Sequence, residues 1–360
     1  MVYKFPDLKL VPQPAWETRR KSWLELAEEC LYGHAPQDTP VRAEIMASES
    51  LWNGLGRREI VRIAYGPGFA WSFDAVLYVP TAPGPHPVIT RNQFSGHDWD
   101  HCPNEEAVTR LGFIIAGFER EQVAEDKAGG RQPACEAYPG YDWGDIRIWA
   151  WAQSRLADYL LTRPDVNPAQ LVCTGFSRGG KAALACGLFD PRFSIVAPVC
   201  SGAGGCGCFR YLGDKQGFCQ DVRKVESLGR IGSVFPFWWT EQFSRWWPSP
   251  DPTQMGLEQT FPFDSHTLKA LVAPRILFSI EGISDAWSNP RGTALTWREA
   301  QPAFDLLGGQ NVAHFRPGGH DFSADDWRAL LTFCQETFDG LPASRVWSNN
   351  PFDLPDCLPE

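Results

Sequence analysis

A chain of 360 residues with 33 Lys+Arg against 43 Asp+Glu has a formal net charge of -10, and 43% of its residues are hydrophobic. That is the composition of a globular protein, long enough for one large or two ordinary domains. The acid excess argues against nucleic acid or an anionic membrane as partner, because phosphate binding is driven by clusters of Lys and Arg and no basic run is longer than Arg19-Arg20-Lys21.

At the N-terminus, residues 1–7 carry no apolar signal core, and no stretch anywhere approaches the roughly 18–20 apolar residues of a spanning helix. The chain as written is expected in the cytoplasm, or in the periplasm or outside the cell had a leader been removed. Residues 1–58 are expected to precede the sheet as a helical lead-in, since Trp16, Trp23, Leu24, Leu26, Ala27 and Leu31 recur at helical spacing before Gly33. From Glu59 the pattern alternates, over 60–64 and 74–80, as in paired strands closed by turns. Short apolar runs follow at 87–90, 113–116, 171–174, 194–199 and 275–280, with helix-length segments at 146–161 and 179–189 between them. This rhythm predicts one α/β domain, a mostly parallel central sheet with helices on both faces. Residues 206–265 break the rhythm and read as an irregular, aromatic-rich insertion, with Trp238-Trp239 and Trp246-Trp247 as candidate walls of a cleft.

Eleven scattered cysteines and no Asn-x-Ser/Thr sequon fit unpaired thiols in a reducing compartment. Cys206-Gly-Cys208 lacks a second pair to complete a metal site and reads as structural. His97-Asp98-Trp99-Asp100-His101-Cys102 has ligand-like spacing but no clear fourth ligand, so no metal is expected. Gly202-Ala-Gly204-Gly-Cys-Gly207 satisfies the spacing of a dinucleotide loop, yet no apolar helix follows it and no strand-end acid stands about 20 residues on, so no cofactor is expected.

The chemistry concentrates at Gly175-Phe176-Ser177-Arg178-Gly179, between the apolar run 171–174 and a helix-forming segment. A serine on such a tight strand-to-helix turn has its hydroxyl exposed, its flanks cleared by glycine, and the positive end of a helix beside it. A serine needs a base, and the base needs an orienting acid, which in this turn context follow in the order Ser, acid, His. Of the histidines after Ser177, His320 stands in the glycine loop Gly318-Gly319-His320-Asp321, just before the helix expected at 324–334. His266 and His314 read as satisfied structural side chains. The strand at 275–280 ends in Glu281-Gly-Ile-Ser-Asp285, and Asp285, past the strand end, is the preferred acid with Glu281 as its alternative. Asn92-Gln93-Phe94-Ser95-Gly96 is the natural second loop on the oxyanion side.

These residues, in this order, resemble the glucuronoyl esterases of carbohydrate esterase family 15, in particular their bacterial branch. The likeness rests on Asp142-Trp143-Gly144, Gly175-Phe-Ser177-Arg178-Gly-Gly-Lys181, Ser201-Gly-Ala-Gly-Gly205, Phe261-Pro-Phe-Asp264-Ser-His266, Asp285-Ala-Trp287 and Gly319-His320-Asp321, and it spans most of 74–338. It implies a three-layer α/β-hydrolase sandwich that cleaves esters between 4-O-methyl-glucuronic acid and lignin alcohols without metal or cofactor. Carried over by position, Ser177 is the nucleophile, His320 the base and Arg178 an oxyanion-stabilising side chain. Lys181 and Trp287 contact the uronate sugar, and Arg210 and Glu226 are further polar ligands. Cys200 stands where many relatives carry a glutamate orienter, which leaves that role to Asp285. Phe176 and Asp321 stand where fungal relatives carry a bridging cysteine pair. The expected activity is therefore that of a serine hydrolase acting on a small-molecule or oligosaccharide uronate ester. A carboxylesterase or acetyl esterase for small esters is the rival enzyme, and an inactive carbohydrate-binding homologue the rival of another class.

Overall fold

The computed structural model describes residues 5–37, 39–94, 101–212, 224–246 and 257–354. Its strands are β1 (Arg42–Leu51), β2 (Gly56–Tyr65), β3 (Trp71–Pro80), β4 (His86–Gln93), β5 (Ile114–Glu119), β6 (Val166–Phe176), β7 (Ile195–Val199), β8 (Ile276–Gly282) and β9 (Gln310–Arg316). They form one sheet in the order β1-β2-β3-β5-β4-β6-β7-β8-β9. The first three strands pair antiparallel, and β3 pairs antiparallel with β5. From β5 to β9 every pairing is parallel, so the strands that carry 87–90, 171–174, 194–199 and 275–280 all end at the same edge.

Parallel strands buried on both faces read as continuous apolar runs, and successive side chains go to opposite sides. Val88, Ile114, Leu171 and Val196 enter one core, while Ile89, Ile115, Val172 and Ala197 enter the other. On the first face pack α1 (Ala15–Ala27) through Trp16 and Ala27, α2 (Gln132–Ala137) through Ala134, α3 (Asp145–Leu160) through Ile146 and Trp149, and α4 (Arg178–Phe189) through Ala182 and Leu184. Three further helices, α5 (Leu228–Val234), α6 (Ser265–Ala270) and α7 (Pro290–Leu307), flank this layer, and Leu228 and Leu268 join its core. On the second face α8 (Ala324–Asp339) buries Trp327, Leu330, Leu331 and Phe333. Helix, sheet and helix make the three layers that the sequence rhythm predicts.

Two departures have physical causes. β1 lies inside the stretch expected to be a helical lead-in, because its residues are exposed on both faces, apart from half-buried Ala43 and Leu51, and so carry no alternating signal. The described parts of the insertion form α5 and short 3-10 turns, yet Trp238, Trp239, Phe243, Phe261 and Phe263 belong to the same core as α3 and α4. Trp238 and Trp239 are therefore buried structural rings, Trp246 is half-buried against that core, and Trp247 lies outside the described residues. Among the described residues no helix is long and apolar enough to cross a membrane.

Candidate active site

β6 runs straight into α4 through Ser177, whose φ of 56° and ψ of -120° lie in a region that side chains rarely occupy. Holding a non-glycine residue there costs about 1–3 kcal/mol, which the surrounding bonds must offset. Ser177 N donates to Val199 O (2.9 Å) and Lys181 N to Ser177 O (3.1 Å). The two glycines of the motif are required by close approach: a Cβ on Gly175 would lie 2.3 Å from Gly179 O, and one on Gly179 would lie 2.6 Å from Asn92 Oδ1. The bend therefore presents the hydroxyl above the parallel strand ends and beside the N-terminus of α4.

His320 reaches it from the loop after β9. Its Nε2 is 2.9 Å from Ser177 Oγ and its Nδ1 is 2.6 Å from Asp285 Oδ2. A carboxylate only accepts, so Nδ1 carries the proton and Nε2 is left as the acceptor for the serine hydroxyl. Ser288 N donates to Asp285 Oδ1 (3.1 Å), Ser288 Oγ donates to Cys200 O (3.0 Å), and the same Oγ lies 3.1 Å from Nδ1. Burial works against the charged form of Asp285, but the His320 and Ser288 donors outweigh it and hold its pKa below the ordinary carboxylate value. The loop itself is laced from one side: Arg316 donates to Gly319 O (3.0 Å), Asp321 O (2.8 Å) and Asp326 Oδ1 (2.8 Å), and Asp326 closes the capping box of α8 with Ser323. Ser288, Arg316 and Asp326 are contributions that sequence reading missed. Only the capping pattern before α8 carried a signal for any of them.

The alternative acid, Glu281, is buried at the end of β8 and neither of its carboxylate oxygens has a hydrogen-bond partner. Burial, then the charge on Asp285, pushes its pKa well above the ordinary glutamate value, and with neither oxygen hydrogen-bonded it does not hold the His320 ring. Cys200 is buried, donates to Asp321 O (3.7 Å), and stands within 4.8 Å of Asp285 and His320. Burial, with Glu281 and Asp285 adding to it, raises its pKa well above that of a free thiol. The glutamate position of the resembling family is thus filled here by a protonated thiol.

Arg178 follows the serine and is clamped in place. It donates to Asp126 Oδ2, and its guanidinium lies over the rings of Trp238 (4.8 Å) and Phe235 (5.3 Å). The other Asp126 oxygen accepts from Trp238 Nε1 (2.7 Å). No sequence motif pointed to Asp126. In front of Ser177 opens a cavity of about 340 Å³ that Asn92, Gln93, Phe94, Arg120, Phe176 and Arg178 line. Ser95 and Gly96 of the expected oxyanion-side loop lie outside the described residues.

The four residues expected to hold the sugar are placed unequally. Lys181 Nζ donates to Glu226 Oε2 (2.7 Å) and Ser201 O (2.6 Å), and Ala203 N donates to the same carboxylate oxygen (2.9 Å). Burial lowers the Lys181 pKa and the Glu226 carboxylate opposes that, as in a buried ion pair. Gly202 permits the approach, since a Cβ there would lie 1.9 Å from Glu226 Oε2. The Gly202–Gly207 loop is thus a cradle for this carboxylate. Trp287 is half-buried, carries the Arg230 guanidinium over its ring at 4.8 Å, and accepts from Glu226 N at its carbonyl (2.9 Å). Arg210 is the correction. Its side chain is 3% exposed and turns inward to Phe263 O (2.7 Å), Asp264 Oδ2 (3.1 Å) and Phe261 O, so it braces the insertion and is not brought to the cleft.

His266 and His314 are only partly satisfied, since the Nδ1 of each is buried without a hydrogen-bond partner. His266 is buried with Nε2 2.8 Å from Pro6 O, and His314 stacks on Phe278. Cys206 and Cys208 are buried free thiols. Of the ligand-like run, His97 to Asp100 lie outside the described residues and His101 is exposed.

Comparison with known proteins finds this chain similar to esterases. A family model described as "Glucuronyl esterase, fungi" matches residues 66–308. The carbohydrate esterase MZ0003 of an unknown prokaryotic organism is 29% identical over 94% of this chain and 90% of its own length. A 4-O-methyl-glucuronoyl methylesterase of Podospora anserina is 26% identical over 87% of this chain and 61% of its own. A carbohydrate esterase family 15 glucuronoyl esterase from Caldicellulosiruptor kristjansonii superposes with a TM-score of 0.79 at 26% identity, covering 99% of this chain and 96% of that one. A glucuronoyl esterase from Solibacter usitatus does so at 0.76 and 26%, over 93% and 98%. The sheet, its helical layers and these likenesses make the fold α/β-hydrolase-type.

Proposed function

The chain belongs to the glucuronyl esterase family, and from that membership we propose that it hydrolyses esters of a glucuronic-acid carboxyl group through an acyl-enzyme on Ser177. The observation that carries this reading is the unbroken relay from Asp285 through His320 to Ser177, with contacts of 2.6 Å and 2.9 Å.

In the first half-reaction Ser177 Oγ bonds to the ester carbonyl carbon while its proton passes to His320 Nε2. The imidazolium is stabilised by Asp285, which stays ionised. Negative charge gathers on the former carbonyl oxygen, beside the N-terminus of α4 and the Arg178 guanidinium. One such donor is worth about 2.7–4 kcal/mol in the transition state. The carbon–oxygen bond to the alcohol then breaks, and Nε2 returns its proton to the leaving oxygen. Water repeats the sequence against the acyl-enzyme, releasing the uronic acid and restoring the serine. Lys181, Glu226 and Trp287 are the candidate sugar contacts, on the β7 and β8 side of the serine. Glu226 Oε2 is spent on Lys181 and Ala203, which leaves Oε1 as the oxygen for a sugar hydroxyl.

Turnover of benzyl glucuronate compared with p-nitrophenyl acetate tests the reading. Efficient cleavage of the uronate, abolished in Ser177→Ala, is expected. Cleavage of the acetate alone would make the protein a small-ester carboxylesterase, and failure of a fluorophosphonate to label Ser177 would make it an inactive binding homologue.

A further inference from the structure

The Arg178 side chain is long, rich in rotamers and 31% exposed, so its own packing does not fix where the guanidinium points. Asp126 does, from the loop that follows β5. Glu125 N donates to Gly130 O (3.0 Å) and Gly130 N to Lys127 O (2.9 Å), and Trp149 Nε1 anchors the loop at Ala124 O (2.9 Å). The closure is tight, because a Cβ on Gly130 would lie 2.1 Å from Glu125 O. The Asp126 side chain is 3% exposed and both of its oxygens are used, Oδ2 by Arg178 and Oδ1 by Trp238 Nε1 at 2.7 Å. Trp238 is fixed in turn: its ring stacks on Phe235 at 4.0 Å, and its carbonyl oxygen would lie 2.2 Å from a Cβ on Gly144.

A second cation lines the same cavity. Arg120 is 4% exposed and held between the rings of Phe94 (5.1 Å) and Trp149 (4.9 Å). Burial lowers its pKa to about 10, the Asp126 charge opposes that shift and the Arg178 charge adds to it, so an acid and another guanidinium both lie close. Like charges repel more strongly where water is excluded. Arg120 is enclosed by rings and Arg178 is not, so without a carboxylate to hold it Arg178 is the one that turns outward to solvent.

We propose that Asp126 is a positioning residue for the hydrolysis: it holds the Arg178 guanidinium at the oxyanion against the repulsion of Arg120, and touches no reacting atom itself. This rests on the acyl-enzyme reading at Ser177, and not on which ester is cleaved. A donor lowers the barrier only if it is in place before the charge develops. Loss of Asp126 should therefore act on turnover, and only through Arg178. Asparagine at this position cannot do the same work. Its side chain has one oxygen for two donors on different sides, Arg178 and Trp238 Nε1, so its NH2 group must face one of them, and it carries no charge to oppose Arg120.

The test is a double-mutant cycle read as kcat and KM on benzyl glucuronate and p-nitrophenyl acetate, in the wild type, Asp126→Asn, Arg178→Ala and the double variant. Asp126→Asn is expected to lower kcat about tenfold or more with KM within about twofold, and to change kcat by less than about twofold once Arg178 is alanine. An equal loss in both backgrounds, a kcat within about twofold of wild type in Asp126→Asn, or a change confined to KM would overturn the proposal. Should Asp126→Asn fail to fold, Trp238→Phe takes its place in the cycle, since it removes the other donor to the same carboxylate. There kcat should fall about threefold or more beside Arg178 and by less than about twofold without it, and equal loss or no loss in both backgrounds overturns the proposal. Cleavage of the acetate alone would refute the glucuronate substrate class and leave the cycle readable. Turnover of neither ester by the wild type would sink the acyl-enzyme reading, and the role of Asp126 with it.

Discussion

Replacing Asp285 by asparagine tests the relay at its most informative point. The structure predicts which way the new amide settles. Ser288 N donates to Asp285 Oδ1 at 3.1 Å, so the asparagine oxygen takes that place and its NH2 group turns to His320 Nδ1, where the carboxylate now accepts at 2.6 Å. Nδ1 must then be the acceptor, the proton moves to Nε2, and Nε2 can no longer take the proton of Ser177. A wrong tautomer of this kind costs about 10³–10⁴ in kcat, equal to roughly 4–5.5 kcal/mol at 1.36 kcal/mol per tenfold. Asp285→Ala should be hurt less. With no amide to donate, Ser288 Oγ at 3.1 Å remains to accept from Nδ1, since its own proton goes to Cys200 O. Steady-state turnover of benzyl glucuronate by both variants, with urea unfolding as a control on the fold, measures the order. An Asp285→Asn enzyme within about tenfold of wild type, or one more active than Asp285→Ala, would refute the reasoning.

Arg178→Ala should lower kcat about 10²–10³-fold, with the larger change in kcat than in KM, because the guanidinium acts on charge that exists only in the transition state. A pure KM effect would remove it from that role. Glu226→Ala strands the Lys181 ammonium, whose side chain is 2% exposed, and should cost about 3–5 kcal/mol of stability by urea unfolding; a loss below about 1 kcal/mol would mean the pair is dispensable. Glu281 keeps its proton in the folded protein at a pH where an unfolded glutamate, with a pKa near about 4.3, has lost it. Its contribution to stability is therefore full below that ordinary value and fades as pH rises toward the raised folded value. The wild-type urea midpoint should fall more between about pH 5 and about pH 8 than that of Glu281→Gln, and parallel pH profiles would contradict the assignment of a neutral buried carboxyl.

Much of the fold and the heart of the site are written in contiguous residues. The five residues 175–179 specify a bend because each constraint acts within the bend: Gly175 must clear Gly179 O, and Ser177 must sit at φ 56°. Strands β4 to β8 announce themselves because the centre of each is buried on both faces, so that a short run along it is apolar. Where burial is absent the signal goes with it, and β1, exposed on both faces, was read as part of a helical lead-in. What tertiary structure decided is the pairing of polar groups distant in sequence. His320 lies 143 residues from Ser177 and 35 from Asp285, and Arg178 lies 52 from Asp126. The sequence supplied candidates for the first three residues, since nucleophile, acid and base keep a fixed chain order around parallel strand ends. It carried nothing for Asp126, Ser288 or Arg120, nor for the inward turn of Arg210. The energy of a charge depends on its partner and its exposure, and neither exists until segments far apart along the chain have packed together.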